Sequence, residues 1–536
     1  MKKVTLFTGY IIEEDLIYRD QEAVSKLEQL IEDCDVYEVL SQLNGSFRYI
    51  INSEKSTWFG VDHFGGYSLF YQTNPSLNIL IDPNKSSQLI NIDDENLCTL
   101  LASGFCYGEN TIFKNIFECL PGFTYTYDKQ ENKLEKQEWF RIDLNSEKKR
   151  SISELADLLK ALIPKNLPKS YLALTGGIDS RLILSLFRNS GVAFESLTYG
   201  TANNPDVEPA QTIAKMSNLN HHLFMLDDLD LSQFFQNKEL EEFFSVGFLG
   251  RSLPFECDWV ISNLIKETTS WLTTGFTSFW LRAPYQDYLP LTNNASLTQK
   301  IFNTHCQQTL ISSAKFKDIL YANIAESMSH YQPNHYDSNY DRWNIENRQH
   351  KYIINTSNNY RYNNIEVFMP LFDRRFMSFL NNTQREQRLE QKIYMEAIIS
   401  HIFVGKDAFL KEIPSTNPKF NNQIKQLKPN SNNWKARLLS LDKNNLNRLL
   451  RMPKNPMYEI IQSVLMQSPE YLSLTIEEAF PNIKKTISLL YDLKLTNSAN
   501  HLKWLKKKKV IQLNLLGIEI IGFLVDKSQL FTGVMK

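Results

Sequence analysis

The segment Ser170-Tyr171-Leu172-Ala173-Leu174-Thr175-Gly176-Gly177-Ile178-Asp179-Ser180-Arg181 constrains the fold more than any other stretch of the chain. A short apolar run stops at a hydroxyl residue and two glycines, then continues into Asp-Ser and an apolar-periodic segment. That order spells a buried strand, a tight loop and the first turn of a helix. The glycines let backbone amides approach an anion closely, and a helix N-terminus adds partial positive charge. Asp179 stands where a carboxylate can hold a metal ion bound to a phosphate chain. The bland alternative is an ordinary strand–turn–helix. The loop is neither a Walker loop, which needs Gly-Lys-Ser/Thr, nor the Gly-x-Gly-x-x-Gly of dinucleotide folds.

Length and composition limit the context. The 536 residues leave ample core for two or more domains. A formal net charge of -2 gives no global pull toward nucleic acid, and the run Lys506 to Lys509 reads as a solvated face. The 6 cysteines show no Cys-x-x-Cys pairing, which points to reduced, mostly buried thiols in a reducing compartment. The first apolar run breaks at Thr8-Gly9-Tyr10 and meets Glu13-Glu14-Asp15, unlike a signal peptide. No run reaches the roughly 18 apolar residues that span a bilayer. The expectation is a soluble cytoplasmic protein with no nucleic-acid and no membrane partner.

Up to about residue 145, short strand-like runs dominate, at 4–7, 47–51, 57–61, 68–71, 77–81 and 125–127. Turn residues such as Asn44-Gly45, Gly65-Gly66 and Asp82-Pro83-Asn84 separate them, and helical patterns lie at 21–34 and 95–103. An antiparallel sheet domain carrying a few helices is predicted. Three phrases stand in order: Leu43-Asn44-Gly45-Ser46-Phe47; Asp62-His63-Phe64-Gly65 with Leu69-Phe70-Tyr71; and Thr111-Ile112-Phe113-Lys114-Asn115-Ile116 with Leu120-Pro121-Gly122. They resemble the N-terminal glutaminase domain of the asparagine synthetase family, which implies an Ntn-type α+β sandwich over residues 1–145. In that family the nucleophile is a cysteine exposed as residue one after Met removal. Here Lys2 stands second and Cys34 is the first thiol. A lysine does not replace a thiolate in amide hydrolysis. The domain is expected to be a scaffold without a nucleophile.

Beyond it, residues 151–162 and 207–218 are helical in pattern, and 194–199 are strand-like before Gly200. Such alternation predicts an α/β domain with a parallel sheet, whose ligands sit at the carboxyl ends of the strands. His221-His222 have no third ligand at suitable spacing and read as structural. Leu174 to Arg181, Leu197-Thr198-Tyr199-Gly200 and the distant Asn364-Ile365-Glu366-Val367-Phe368-Met369-Pro370-Leu371-Phe372-Asp373 follow one another as in the same family. They resemble its pyrophosphate loop and its Glu-x-Arg-x-Pro-(Phe/Leu)-(Leu/Phe)-Asp element.

The resemblance reaches to about residue 425 and implies an ATP-pyrophosphatase-type (adenine nucleotide α-hydrolase-like) synthetase domain over 150–430. It also implies ATP and Mg²⁺: ATP adenylates a carboxylate, pyrophosphate leaves, and an amine displaces AMP to form an amide. The residues matched to the nucleotide are Thr175, Gly176, Gly177, Ile178, Asp179, Ser180, Tyr199, Thr274 and Gly275, with Asp179 also the metal ligand. Glu366, Lys411 and Lys419 match catalytic positions, and Lys392 stands where the family has a lysine near phosphate.

The pattern departs in one element, which in the family reads Ser-Gly-Glu-Gly-x-Asp-Glu and ends in Gly-Gly-Tyr. The comparable segment runs from Thr273 to Tyr285, and Gly275 and Tyr285 match, but Phe276, Phe279 and Trp280 replace the acids. A phenyl ring cannot ligate magnesium. Either Glu256, Asp258 or Asp287 supplies the oxygen, or Asp179 and the triphosphate suffice, or the chain no longer reacts. The β-lactam synthetase and lasso-peptide cyclase branches likewise lack the glutaminase cysteine. The β-lactam enzymes pair a tyrosine at the Phe276 position with a downstream glutamate as base. Glu366 matches that glutamate; acting alone it would need burial to raise its pKa. The alternative for Glu366 is a packing salt bridge.

Residues 294–340 read as a helical insertion near the cleft, and 431–536 as a helical extension. Either the extension completes the second domain, as apolar stripes commonly do, or it docks a substrate, a second copy of the chain or a partner protein. The leading expectation is a ligase acting on a small-molecule or peptide carboxylate, with ammonia or a substrate amine as nucleophile. A degenerate nucleotide-binding or scaffold protein is the alternative, and a glutamine-dependent asparagine synthetase the third reading.

Overall fold

Alternating apolar residues near the start of the chain zip into one antiparallel sheet. Its strands are β1 (Lys3–Glu13), β2 (Leu16–Arg19), β3 (Asn44–Asn52) and β4 (Ser56–Val61). A second, smaller sheet holds β5 (Phe70–Gln72), β6 (Asn78–Leu80) and β7 (Phe117–Glu118). The strands β8 (Phe123–Asp128) and β9 (Lys133–Glu138) complete the first, in the order β2-β1-β3-β4-β8-β9. The structure, a computed structural model, describes residues 2–415 and 421, except 74–75, 84–92, 145, 203, 231–233, 235–236, 278–292, 307–313 and 334.

The two faces of the large sheet are covered differently. Phe47, Tyr49 and Ile51 of β3 pack on Ala23, Leu27 and Ile31 of α1 (Asp20–Glu32) and on Val36, Val39 and Leu40 of α2 (Val36–Gln42). The i, i+4, i+8 spacing in α1 puts its three buried residues on one stripe. The opposite face sets Phe59, Val61 and Tyr125 against Leu69 and against Tyr71 of the small sheet. Beyond that sheet, Phe70 meets Leu100 of α3 (Asp94–Ser103). Helices, two antiparallel sheets and a helix thus form layers, as the α+β sandwich expectation has it. One boundary differs: Thr8-Gly9 does not end the first strand, because Gly9, at φ +113°, lets the chain pass where a Cβ would lie 2.1 Å from Ser46 O.

The second domain follows through α4 (Ile152–Lys160), whose Ser151 and Glu154 form a capping box. It contains β10 (Ser170–Ala173), α5 (Ile178–Ser190), β11 (Phe194–Gly200), α6 (Val207–Met216) and β12 (His221–Met225). The chain then passes through α7 (Asn237–Phe248) and α8 (Glu256–Ile265) to β13 (Trp271–Thr273), and later to β14 (Glu366–Phe368). All neighbouring strands are parallel, in the order β12-β11-β10-β13-β14. The chain winds outward from β10 to one edge, then returns to start the other side at β13. The gap between β10 and β13 is therefore a topological switch point, where open α/β sheets leave a crevice at their carboxyl ends. The expected insertion does form helices, including Asn294–His305 and Ala314–Ser327, but they pack on the first domain: Asn323 Nδ2 donates to Thr99 Oγ1 on α3 at 2.7 Å. The expected extension at 431–536 lies outside the described residues.

The antiparallel and parallel sheet regions interlock through the phrases singled out in the sequence. Buried Asp62 accepts from the amides of Phe47, Phe64, Gly65 and Gly66 and so shapes the Asp-His-Phe-Gly turn. That turn sets the Phe64 ring on Phe372 and His63 Nε2 2.7 Å from Phe372 O. Asn44 Nδ2 donates to Asp373, and Asn44 Oδ1 accepts from the Arg374 amide. A π-helix, Asn344–Ile353, adds His350 and Lys351 to a buried cluster with Glu118 and Arg251. Burial alone would raise the Glu118 carboxyl, yet Arg251, His350 and Lys351 together hold it well below the usual range. Gly65 is required here, since a Cβ on it would fall 2.0 Å from His350 Nδ1.

Candidate functional site

The carboxyl end of β10 runs into Leu174, whose amide still bonds to Leu197 O on β11 at 2.8 Å. The chain then turns through Thr175 and the two glycines into α5, directly at the switch point. Gly177 is the N-cap residue, with extended backbone, and no side chain caps α5. The helix therefore turns the partial positive charge of its N-terminus toward the crevice.

Thr175 and Ser180 build the loop from inside. Thr175 N donates to Ser180 Oγ at 3.1 Å, and Gly177 N donates to Thr175 Oγ1 at 3.1 Å. Ser180 Oγ in turn reaches Thr175 O at 3.1 Å. These two hydroxyl residues act first on loop shape. Ile178 is buried beneath them in the main core.

The rest of the support comes from a residue the sequence showed without revealing its role. Arg181 is fully buried, and its guanidinium donates to Gly176 O, Leu410 O, Ile413 O and Pro414 O at 2.7–2.9 Å. Burial lowers its pKa to about 10, so it stays charged at neutral pH. Ser415 Oγ adds a bond to Gly176 O at 3.0 Å. The segment 410–415 is thereby strapped to the back of the loop, and it carries Lys411. An arginine one position after Asp-Ser, inside an apolar helix turn, was the available signal. Lys419 lies outside the described residues, and Lys392 is exposed at the start of the helix Lys392–Ala397.

Asp179 is 8% exposed and accepts from the Tyr394 hydroxyl at 2.8 Å on Oδ1. Tyr394, itself buried, is a second residue that sequence reasoning missed, 215 positions away. Across the switch point, β13 ends at Thr273 and its backbone continues as Thr274-Gly275. Thr274 Oγ1 is buried without a hydrogen-bond partner among the described residues, an arrangement suited to an incoming oxyanion. Gly275 stands against α5: a Cβ on it would meet Ser180 N at 2.9 Å and Asp179 C at 3.2 Å. Phe276 packs against the main core, and Phe279, Trp280, Tyr285 and Asp287 lie outside the described residues.

Two further matched residues have partners within the protein. The Tyr199 hydroxyl donates to Asp258 Oδ1 at 2.8 Å, and Tyr360 does the same from the other side. Burial, then Asp258, pushes the Tyr199 phenol well above its usual range. Asp258 is thus held within this tyrosine pair, and burial raises its carboxyl to about 6. Glu366 opens β14 in register with Trp271, at the amino end of the parallel sheet. Five residues of β10 and its extension separate that level from Thr175, roughly 16 Å of extended chain. Glu366 accepts from Arg361 Nε at 3.0 Å and from the Tyr67 hydroxyl of the first domain. The Arg361 guanidinium lies 3.6 Å over the Tyr67 ring. Of the two readings of Glu366, this geometry is the packing salt bridge.

The N-terminal lysine has a structural partner too: Lys2 Nζ donates to Ile31 O at 3.1 Å and also to Cys34 O, covering carbonyls at the end of α1. His221 and His222 engage Ser196 and Glu195 at the amino ends of the strands. Among the described residues no three His, Cys, Asp or Glu side chains gather as a metal-ligand group, and no helix is long and apolar enough to cross a membrane.

No protein-family profile matches the chain, and no curated protein does. Among solved structures it is similar to the allosteric regulatory enzyme of purine biosynthesis, at 13% identity over 40% of this chain and 43% of that one, with a TM-score of 0.17. It is also similar to glutamine phosphoribosylpyrophosphate amidotransferase from B. subtilis complexed with ADP and GMP, at 11% identity over 52% and 62%, with a TM-score of 0.18. The chain thus spans less than two thirds of either protein's length.

Proposed function

We propose that the chain is an ATP-dependent amide-forming ligase of the asparagine synthetase type. The observation that carries this reading is the position of the Thr175-Gly176-Gly177 loop, at the switch point of a parallel sheet and at the uncapped N-terminus of α5. A triphosphate laid there meets backbone amides, the helix dipole and the Thr274 hydroxyl, all fixed before the substrate arrives. The substrate carboxylate attacks the α-phosphorus, pyrophosphate leaves, and ammonia or a substrate amine displaces AMP. Arg181 keeps the loop closed on the leaving group's side, and Lys411 rides on the strapped segment.

The donor set fits magnesium held by one protein carboxylate. Asp179 would hold it, with Tyr394 fixing the carboxylate through Oδ1; phosphate oxygens and waters commonly complete such a sphere. Magnesium supplies charge neutralisation on the departing pyrophosphate. Pyrophosphate release from ATP, assayed with a panel of carboxylates, tests the proposal. Release that Asp179→Ala abolishes supports it, and no release with any substrate sinks it.

A second reading, a nucleotide-binding or scaffold protein, is favoured by Phe276 packed against the core and by Glu366 engaged with Arg361 and Tyr67. Calorimetry separates the two: Mg²⁺-dependent ATP binding without pyrophosphate release is the scaffold's signature.

A further inference from the structure

A cleft of about 330 Å³, sharing no residue with the loop, opens between the segment entering α4 and the helix Arg374–Asn381. Its wall carries three cations, Lys148, Arg150 and Arg375, and no carboxylate. Arg375 is already neutralised: its guanidinium donates to both oxygens of Asp373 and to Asp15 Oδ1. It frames the cleft.

Lys148 and Arg150 are different. The Gln387 side-chain amide clamps the Arg150 backbone, accepting from its N–H and donating to its carbonyl oxygen, each at 2.8 Å. The guanidinium of Arg150 then lies 4.3 Å over the centroid of the buried Phe379 ring. Glu154 approaches its Nε only to 3.6 Å from a side chain that is 56% exposed, where water and salt screen most of the attraction. Among the described residues, neither the terminal nitrogens of Arg150 nor the Lys148 ammonium has a hydrogen-bond partner. A guanidinium fixed against a ring and open along its outer edge is a bidentate donor for an oxyanion. A lysine beside it adds a mobile point charge.

The floor tells the rest. Half-buried Leu158 offers apolar surface next to the two cations, and Phe379, buried under Arg150, backs it. We propose that this cleft binds a small phosphate monoester, its phosphoryl oxygens on Arg150 and Lys148 and its apolar body on Leu158. The site is independent of the loop at Thr175 and of the chemistry proposed there.

Titration calorimetry on the full chain, with phenyl phosphate and inorganic phosphate as probes, tests this. Phenyl phosphate is expected to bind about threefold more tightly than inorganic phosphate, because its ring covers apolar surface, and more weakly as salt rises. Lys148→Gln and Arg150→Gln are each expected to weaken it by about tenfold. Lys148 is exposed, so its replacement leaves the fold intact. Crowding the loop with Gly275→Val is expected to change nothing in this titration. No binding, binding unmoved by either cleft substitution, or binding lost only in Gly275→Val would each overturn the proposal, the last by moving the probe to the loop.

Discussion

Gly275 and Ser180 meet backbone to backbone: a Cβ on the glycine would stand 2.9 Å from the serine amide nitrogen. The contact joins the carboxyl end of β13 to the first turn of α5, so the two sides of the crevice are set by the absence of one methyl group. Gly275→Ala should therefore push the loop and β13 apart. Overpacking of this kind costs about 1–3 kcal/mol. The expected result is a small drop in melting temperature with a loss of ATP affinity of about tenfold or more. Affinity equal to wild type would show that the loop does not bind the nucleotide.

Arg181 holds four carbonyl oxygens at once. In Arg181→Met the stem packs similarly, but Leu410 O, Ile413 O and Pro414 O lose this donor inside the core, while Gly176 O keeps Ser415 Oγ. Leaving buried acceptors unsatisfied costs about 1–3 kcal/mol each. Denaturant unfolding should show that loss, and limited proteolysis should open the 405–415 segment first. Arg181→Lys keeps the charge but not the fork, and should fall between the two.

Tyr394→Phe removes one hydroxyl and no packing volume. Asp179 then loses the donor that fixes Oδ1. Stability should fall by only about 1 kcal/mol, while the Mg²⁺ concentration needed for half-maximal ATP binding should rise several-fold. A shift in stability without a shift in the Mg²⁺ requirement would limit Tyr394 to packing.

Glu366→Gln tests the domain contact. The buried Arg361 guanidinium, held at the Tyr67 ring, would lose its carboxylate. Removing one member of a buried pair costs about 3–5 kcal/mol, so the melting temperature should fall. ATP affinity should stay within about twofold of wild type, because the loop lies at the other end of the sheet. A proton-transfer role would instead leave stability unchanged and stop turnover.

What the sequence made legible follows from how locally each feature is encoded. The strand, loop and helix from Ser170 to Arg181 are written in consecutive residues, and the structure keeps them in that form. Gly275 could be aligned because a glycine under steric pressure has few substitutes. The partners that finish the site are not local. Tyr394 reaches Asp179 across 215 positions, and three of the four carbonyls that bind Arg181 lie 229 to 233 positions downstream. No periodicity announces such contacts. The partners of Glu366 and Tyr199 are remote in the same way: the Tyr67 hydroxyl donates to the Glu366 carboxylate, and the Tyr199 hydroxyl donates to Asp258.

The pH dependence of stability should carry the mark of Asp258. Burial raises its carboxyl from 3.8 to about 6, although two tyrosine hydroxyls donate to it. The folded carboxyl binds its proton more tightly than the unfolded one. Its stabilising contribution is therefore complete below about pH 4 and is lost as pH rises through about 6. Two pKa units bound the effect at roughly 3 kcal/mol. Asp62, also raised by burial to about 6, acts in the same direction and window. His63 opposes both: burial lowers it from 6.5 to about 4, so its contribution is present above the unfolded value and fades as pH falls toward 4. Asp258→Asn keeps an acceptor for both tyrosines and removes one titration. Relative to wild type, the variant should gain stability at about pH 8 compared with about pH 5, read from denaturation midpoints. Parallel pH profiles for the two proteins would mean that Asp258 titrates as it does in water.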